Sequence, residues 1–319
     1  MISKKLTGSK IAAALLAVSV LTAAASGTAL SGTVTAKAAK LETASTQSLF
    51  EWAKNDPGLL KAAKQGTTKV QSQKVTKDGV TLKLTDYLYD GARVSFALQR
   101  EGDDLETTLD DVTNAEKKGV LLYHEIYING KKQDLKSYGR SSINDGNSMV
   151  ISFNDQSDKG PRAVFFPKQF ELTVKAYVSG VDDPFTFKLS VKKQAAQSTV
   201  LNKAVVKKAG NLSYNVKRVE LTPYSSRLEL AAQGSHKQIK DLKTLRFDIA
   251  DNKGNVLTPL LQTWDGVVKN QRYFDMTYPS FAATPNAIIV KPYSLEKDEN
   301  GAPKKVYLQD AELTLSLKK

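Results

Sequence analysis

After Gly66 the apolar residues of this chain recur at every second position, in short runs broken by turn sequences. Val80, Leu82 and Leu84 alternate with Thr81, Lys83 and Thr85, Asp90-Gly91 marks a turn, and Val94, Phe96 and Leu98 alternate again. Period two belongs to half-buried strands, whose successive side chains point to opposite faces of a sheet. Asp-Gly supplies the backbone conformations a tight connection between such strands needs. The pattern returns in 120–128, closed by Asn129-Gly130, and in Met149, Ile151 and Phe153. It returns again in Phe170, Leu172, Val174 and Ala176, and after a turn around Gly180 in Phe185, Phe187, Leu189 and Val191. Further runs follow at 200–206, 212–221, 227–231, 245–249, 288–290 and 306–317. Many short alternating strands at turn-separated spacing predict a mainly β chain built as sandwiches.

The opening of each half repeats. Val75-Thr-Lys-Asp-Gly79 corresponds to Val206-Lys-Lys-Ala-Gly210, and each leads into an alternating strand, a turn and a second strand begun by an arginine, Arg93 or Arg227. The match covers about 25 residues in each half and argues for two related units rather than a short-repeat solenoid. Residues 192–199 lack periodicity and read as the linker. The expected organisation is a helical lead-in plus first β-sandwich over 48–191 and a second β-sandwich over 200–319. In the lead-in, Asp56-Pro57 reads as an N-cap with proline at the first helical position, and Gly66 as a stop. Phe50 and Trp52 are expected on its apolar, core-facing side.

The first 38 residues have the order of a secretory signal. Lys4, Lys5 and Lys10 precede an apolar stretch from Ile11 to about Ala25, and small residues lead to Ala36-Lys37-Ala38. Cleavage after Ala38 would leave 39–47 as a flexible polar segment and send the chain out of the cytoplasm, secreted or wall-associated. The alternative is an uncleaved membrane anchor, the one membrane contact expected. Zero cysteines exclude disulfides and thiolate chemistry. The signal's four lysines and absent acids take the net charge from +13 to about +9 in the remainder. Only eight of the 46 basic residues are arginine, so the excess suits general attraction to polyanions rather than sequence-specific reading of nucleic acid.

No residue pattern for catalysis or cofactor binding is present. The chain has two histidines, with neither a Gly-x-Ser-x-Gly nor a His-Glu-x-x-His arrangement. His124 alternates with apolar residues and is expected packed or at an edge; His236, in a polar turn, is expected solvated. The carboxylates of 101–118 (Asp103, Asp104, Glu106, Asp110, Asp111) could hold calcium, but their spacing departs from the EF-hand and a solvated loop is the simpler expectation. The segment 262–282, with Trp264, Tyr273, Phe274 and Tyr278, is the expected interaction surface, because aromatics dominate binding hot spots.

A resemblance joins these features. Leu49-Phe-Glu-Trp52, Gly58-Leu-Leu-Lys-Ala-Ala-Lys-Gln-Gly66, Val75 with Asp78-Gly79-Val80, and Tyr89-Asp90-Gly91-Ala-Arg-Val-Ser-Phe96 resemble an uncharacterised extracytoplasmic family of Gram-positive bacteria. Its members often form the outer region of membrane-anchored anti-sigma factors. The second half, with Leu221-Thr-Pro-Tyr-Ser-Ser-Arg-Leu228, resembles the immunoglobulin-like domain that commonly follows. The resemblance implies two consecutive immunoglobulin-like sandwiches. About ten residues precede the apolar stretch, so it implies the outer region without the cytoplasmic sigma-binding part. The partners expected are an envelope protein or an anionic cell-wall polymer.

Overall fold

The computed structural model describes residues 47–135, 138–143, 146–154, 166–194, 197–237, 242–262 and 270–317. Residues 1–46, which include the expected signal, and Trp264 lie outside them. Ser48 opens one turn of 3-10 helix, Leu49–Trp52, by accepting a hydrogen bond from the Phe50 amide at 3.2 Å. Asp56 caps helix α1 (Pro57–Lys64), its side chain accepting from the Leu59 amide. Trp52 corrects the expectation of a core residue. Three residues per turn put Phe50 and Trp52 on different sides; Phe50 is fully buried, whereas Trp52 is 41% exposed.

The first sandwich contains β1 (Lys69–Lys77), β2 (Val80–Tyr89), β3 (Val94–Gly102), β4 (Leu121–Ile128), β5 (Lys131–Lys132), β6 (Tyr138–Ile143), β7 (Ser148–Phe153), β8 (Gln169–Val178) and β9 (Phe185–Lys192). They form two antiparallel sheets, ordered β1-β2-β3-β7-β6 and β5-β4-β8-β9. The alternating residues of both sheets meet in one core, with Leu82, Leu84, Phe96, Leu98 and Ile151 on one side and Ile126, Leu172, Val174, Phe187 and Leu189 on the other. At Gly91 φ is +104°, a conformation glycine adopts without steric cost. The Asp90 carboxylate closes the same turn by accepting from the Ala92 and Arg93 amides.

The second sandwich contains β10 (Thr199–Leu201), β11 (Val205–Ala209), β12 (Leu212–Leu221), β13 (Ser225–Gln233), β14 (Arg246–Asp251), β15 (Val256–Leu257), β16 (Leu261–Gln262), β17 (Gln271–Pro279), β18 (Ala287–Lys297), β19 (Pro303–Tyr307) and β20 (Leu313–Ser316). One sheet runs β10-β12-β13-β17-β16 with β11 also on β12; the other runs β15-β14-β18-β19 with β20 also on β18. The order β11-β12-β13-β17-β16 repeats β1-β2-β3-β7-β6, and β15-β14-β18-β20 repeats β5-β4-β8-β9. Even the register shift recurs, at Thr85 between Leu84 and Asp86 and at Lys217 between Val216 and Arg218. The repeat thus extends beyond the 25-residue sequence match to the whole strand order. The chain is mainly β, two consecutive immunoglobulin-like sandwiches with a short helical lead-in.

The lead-in lies between the two. Phe50, Leu59, Ala62 and Ala63 pack on the outward residues Leu88, Ala97 and Val150 of the first sandwich, and Tyr224 of the second joins the same cluster. Polar contacts complete the joint. Fully buried Asp90 accepts from the hydroxyls of Thr222 (2.7 Å) and Ser225. Lys61 donates to the Pro223 carbonyl at 3.1 Å, and the Thr67 and Tyr224 hydroxyls lie 2.7 Å apart. Within the region read as a linker, Lys193 and Gln194 are tied back to the first sandwich through the carbonyls of Lys168 and Tyr89. Residues 195 and 196 lie outside the described set. No described helix is long and apolar enough to cross a membrane.

Candidate binding surface

On β4 the inward positions are Ile126 and Ile128, which leaves Tyr123, Glu125 and Tyr127 facing outward. Antiparallel register sets Tyr123 opposite Tyr177, Glu125 opposite Lys175 and Tyr127 opposite Thr173 of β8. Cross-strand neighbours on one face touch, and here they form one array. The Tyr123 and Tyr177 rings stack with centroids 4.2 Å apart and planes 14° from parallel. The Tyr127 and Tyr177 hydroxyls donate to one oxygen of Glu125, at 2.8 and 3.3 Å. Lys132 pairs with the other oxygen, and Lys175 Nζ sits 5.1 Å from the Tyr127 ring centre. The Lys132 hydrogen bond, then that of Tyr127, holds the Glu125 carboxyl below the usual carboxylate range.

A groove of about 560 Å³ runs beside this array, lined by Tyr123, His124, Glu125, Lys132, Leu135 and Tyr138 among others. It exists because β5 is two residues long and pairs only with Tyr127 and Ile128, and the Gln133 amide adds one bond, to the Ile126 carbonyl. Among the described residues no strand lies beside 122–125 on that side. Three large apolar side chains remain exposed around it: Leu122 at 37%, Tyr123 at 50% and Tyr138 at 45%. Its volume falls in the range of about 300–1,000 Å³ typical of small-molecule sites.

His124 forms the inner wall of the groove, its ring edge-on to Tyr138 at 4.8 Å. Nδ1 is buried without a hydrogen-bond partner. Burial, then the charge of nearby Arg140, pushes its pKa down to about 4. The unfolded chain therefore takes up a proton near the ordinary value of about 6.5 that the folded chain refuses until about pH 4. Stability contributed by the neutral ring is complete above about pH 6.5 and is lost as pH falls toward 4, in total about 3 kcal/mol. Urea denaturation at pH 7.0 and 4.5 is expected to show most of this loss in the wild type and about 2 kcal/mol less of it in His124→Phe. Equal losses in both proteins would exclude His124 as the source.

The expected surface at 262–282 is corrected at two of its four named residues, while Trp264 lies outside the described residues. Phe274 and Tyr278 are buried core residues, and the Tyr278 hydroxyl donates to the Phe247 carbonyl at 3.1 Å. The cause is position: β17 runs between β13 and β16, so its alternate side chains enter the core. Tyr273 is half-buried beneath Lys217, whose Nζ is 4.6 Å from the ring centre. His236 is also corrected. It is buried, with Nε2 3.2 Å from the Asp310 carboxylate, not solvated. The segment 101–118 is mostly exposed, as expected of a solvated loop, with Leu109 alone buried, and hydrogen bonds give it local order. Buried Arg100 donates to the Gly119 carbonyl and to Asn147. Hydrogen bonds from Thr107, Thr113 and Asn114 pull Asp111 down to about 2. No three His, Asp or Glu side chains gather to hold a metal among the described residues.

A second cavity, about 190 Å³, lies at the joint and is lined by Asp56, Arg93, Arg140, Gly139, Ser152 and Leu261 among others. Its charges answer one another. Arg93 forks onto Asp56 and Arg140 reaches Asp110 at 3.2 Å. These pairs fit a structural role, and the tyrosine groove is the better candidate for a ligand. Its outward residues were legible in Tyr123-His-Glu-Ile-Tyr127 and in Lys175-Ala-Tyr177, as the polar half of an alternation whose apolar half marks the strand.

Comparison with known proteins bears on the fold. A conserved domain protein from Bacillus anthracis, known from its crystal structure, aligns at 14% identity and a TM-score of 0.53, over 79% of this chain and 92% of its own. A marsupial T cell receptor aligns over 78% of this chain and 62% of its own at 10% identity, with a TM-score of 0.18, too low to bear on the fold. No curated protein matches the chain. Residues 197–317, nearly the whole second sandwich, match a family of unknown function, DUF5643.

Proposed function

We propose that this chain is a non-catalytic binding or sensory module that works outside the cytoplasm at the bacterial envelope, with the β4 groove as its contact surface. The observation that carries the reading is the Tyr123–Tyr177 stack. Two aromatic rings held in a fixed arrangement at the surface suit binding, because little rotamer freedom remains to be lost when a ligand arrives. The basic, apolar and small-residue order of the first 38 residues supports export. The resemblance to the outer region of anti-sigma factors supports a sensory role, and the match of the second sandwich to an uncharacterised family is compatible with it.

The competing reading is a structural protein held to the anionic wall by its lysine excess. Co-sedimentation of residues 39–319 with purified bacterial cell walls separates the two. Under the groove reading, Tyr123→Ala with Tyr138→Ala abolishes retention at about 0.05 M salt, where screening is weak. Retention that survives this double change, yet is lost on raising salt to about 0.5 M, would establish the charge-held alternative.

A further inference from the structure

Resting on the groove as the contact surface, we propose that its ligand is an acidic polysaccharide. Sugar rings would stack on Tyr123 and acid groups would meet the lysines of the same sheet face. Register places those lysines. Lys132 lies opposite Tyr127, Lys175 opposite Glu125, and Lys188 of β9 opposite Thr173. Over these two rows and the Tyr123–Tyr177 row the one carboxylate is Glu125, already engaged by Lys132 and two tyrosine hydroxyls; Asp134, which lines the groove, is engaged as well, and the three lysines outnumber the two acids. The face therefore carries a surplus of positive charge and complements an anion.

Three further features select a glycan. A pyranose presents polarised C–H bonds from its ring face, and these suit the negative face of an aromatic ring. Tyr123 offers such a face, half-exposed and braced from behind by Tyr177. Around it stand hydroxyl and amide groups, those of Tyr127, Thr173, Thr186 and Gln133, able to exchange hydrogen bonds with sugar hydroxyls. The charges of this face come from lysine, not arginine, which favours diffuse acid groups over the forked contacts used on nucleic acid. A protein partner would want a larger apolar centre than Leu122, Tyr123 and Tyr138 provide.

Titration calorimetry of residues 39–319 with three polymers tests the proposal. Polygalacturonate has acid groups and pyranose rings, dextran has rings without acid, and poly-L-glutamate has acid without rings. Polygalacturonate is expected to bind most tightly. Tyr123→Ala should weaken it about ten-fold, the loss of one stacked contact, while Tyr123→Phe keeps it. Lys175→Gln with Lys188→Gln should weaken it and flatten its salt dependence. Dextran should bind at least about ten-fold more weakly, and any binding of polyglutamate should ignore Tyr123→Ala. Both tyrosine variants leave a surface position substituted, and unchanged circular dichroism confirms their fold. Polygalacturonate binding that ignores Tyr123→Ala, or fails to exceed that of polyglutamate, overturns the proposal. If cell-wall retention still requires Tyr123 in that case, the groove stands as the contact surface and only the ligand class is wrong.

Discussion

Replacing Arg93 by alanine is expected to cost about 3–5 kcal/mol of stability, the penalty for breaking one partner out of a buried ion pair. Arg93 is 1% exposed. Its Nη2 donates to Asp56 Oδ1 at 2.8 Å and its Nη1 to Oδ2, a two-pronged contact that a guanidinium makes and an ammonium cannot. Burial by itself would lower its pKa, yet the neighbouring charges of Asp56 and Asp90 outweigh burial and raise it. The site favours the cation. Asp56 also caps α1 through the Leu59 amide, so losing Arg93 leaves one carboxylate without its counter-charge and loosens the helix it starts. Arg93→Lys should recover part of the loss and Arg93→Met with Asp56→Leu a larger part, since an apolar pair removes the stranded charge. By contrast, the Lys77–Asp183 pair is 4.0 Å apart with Asp183 mostly exposed, and Lys77→Ala should leave the denaturation midpoint unchanged. An Arg93→Ala protein within about 1 kcal/mol of the wild type would refute this account of the joint.

Arg93 also shows where sequence reasoning stopped. The repeat exposed it together with Arg227 as the start of a strand in each half, and both prove fully buried. The partners could not be read. Asp56 belongs to the lead-in for Arg93, and Asp275 of β17 pairs with Arg227 at 2.6 Å; neither lies near its arginine in the chain. The strands themselves were legible where one face is dry. β9 alternates buried and exposed without interruption, and its sequence shows that pattern. β7 is buried at all six positions; on its outer face Val150 packs against the lead-in, a contact written in 48–66 rather than in β7. Phe274 and Tyr278 were misplaced for a related reason. Their aromatic density suggests a contact surface, but the alternation Arg272, Phe274, Met276, Tyr278 places all four inward. The groove was hidden because it depends on the shortness of β5 and on a register that brings Tyr177 beside Tyr123.

A methyl group added at Gly58 is expected to destabilise the joint by about 3 kcal/mol or more, toward and beyond the usual upper range of overpacking. In an exposed helix the same change would stabilise by about 0.4–1 kcal/mol, since alanine restricts the unfolded chain and suits helical geometry. Here the sign reverses. A Cβ at Gly58 would lie 1.8 Å from the Tyr224 carbonyl oxygen and 2.8 Å from its carbon. Those are backbone atoms and have no rotamer to retreat into, so α1 and the 221–225 turn must move apart. The separation strains the Thr67–Tyr224 contact, the Lys61–Pro223 bond and the two hydroxyl bonds to Asp90 together. Coupling between the sandwiches should fall with them. Scanning calorimetry is expected to show one transition in the wild type and two, the first at lower temperature, in Gly58→Ala. Tyr224→Ala should not rescue that variant, because the obstacle is the main chain. Gly66→Ala gives the contrast, with no atom within 4 Å of its Cβ but φ at +63°. It should cost only about 1–2 kcal/mol of left-handed backbone strain and leave the transition single. A Gly58→Ala protein that melts once, at the wild-type temperature, would mean that the two sandwiches are not held together through this contact.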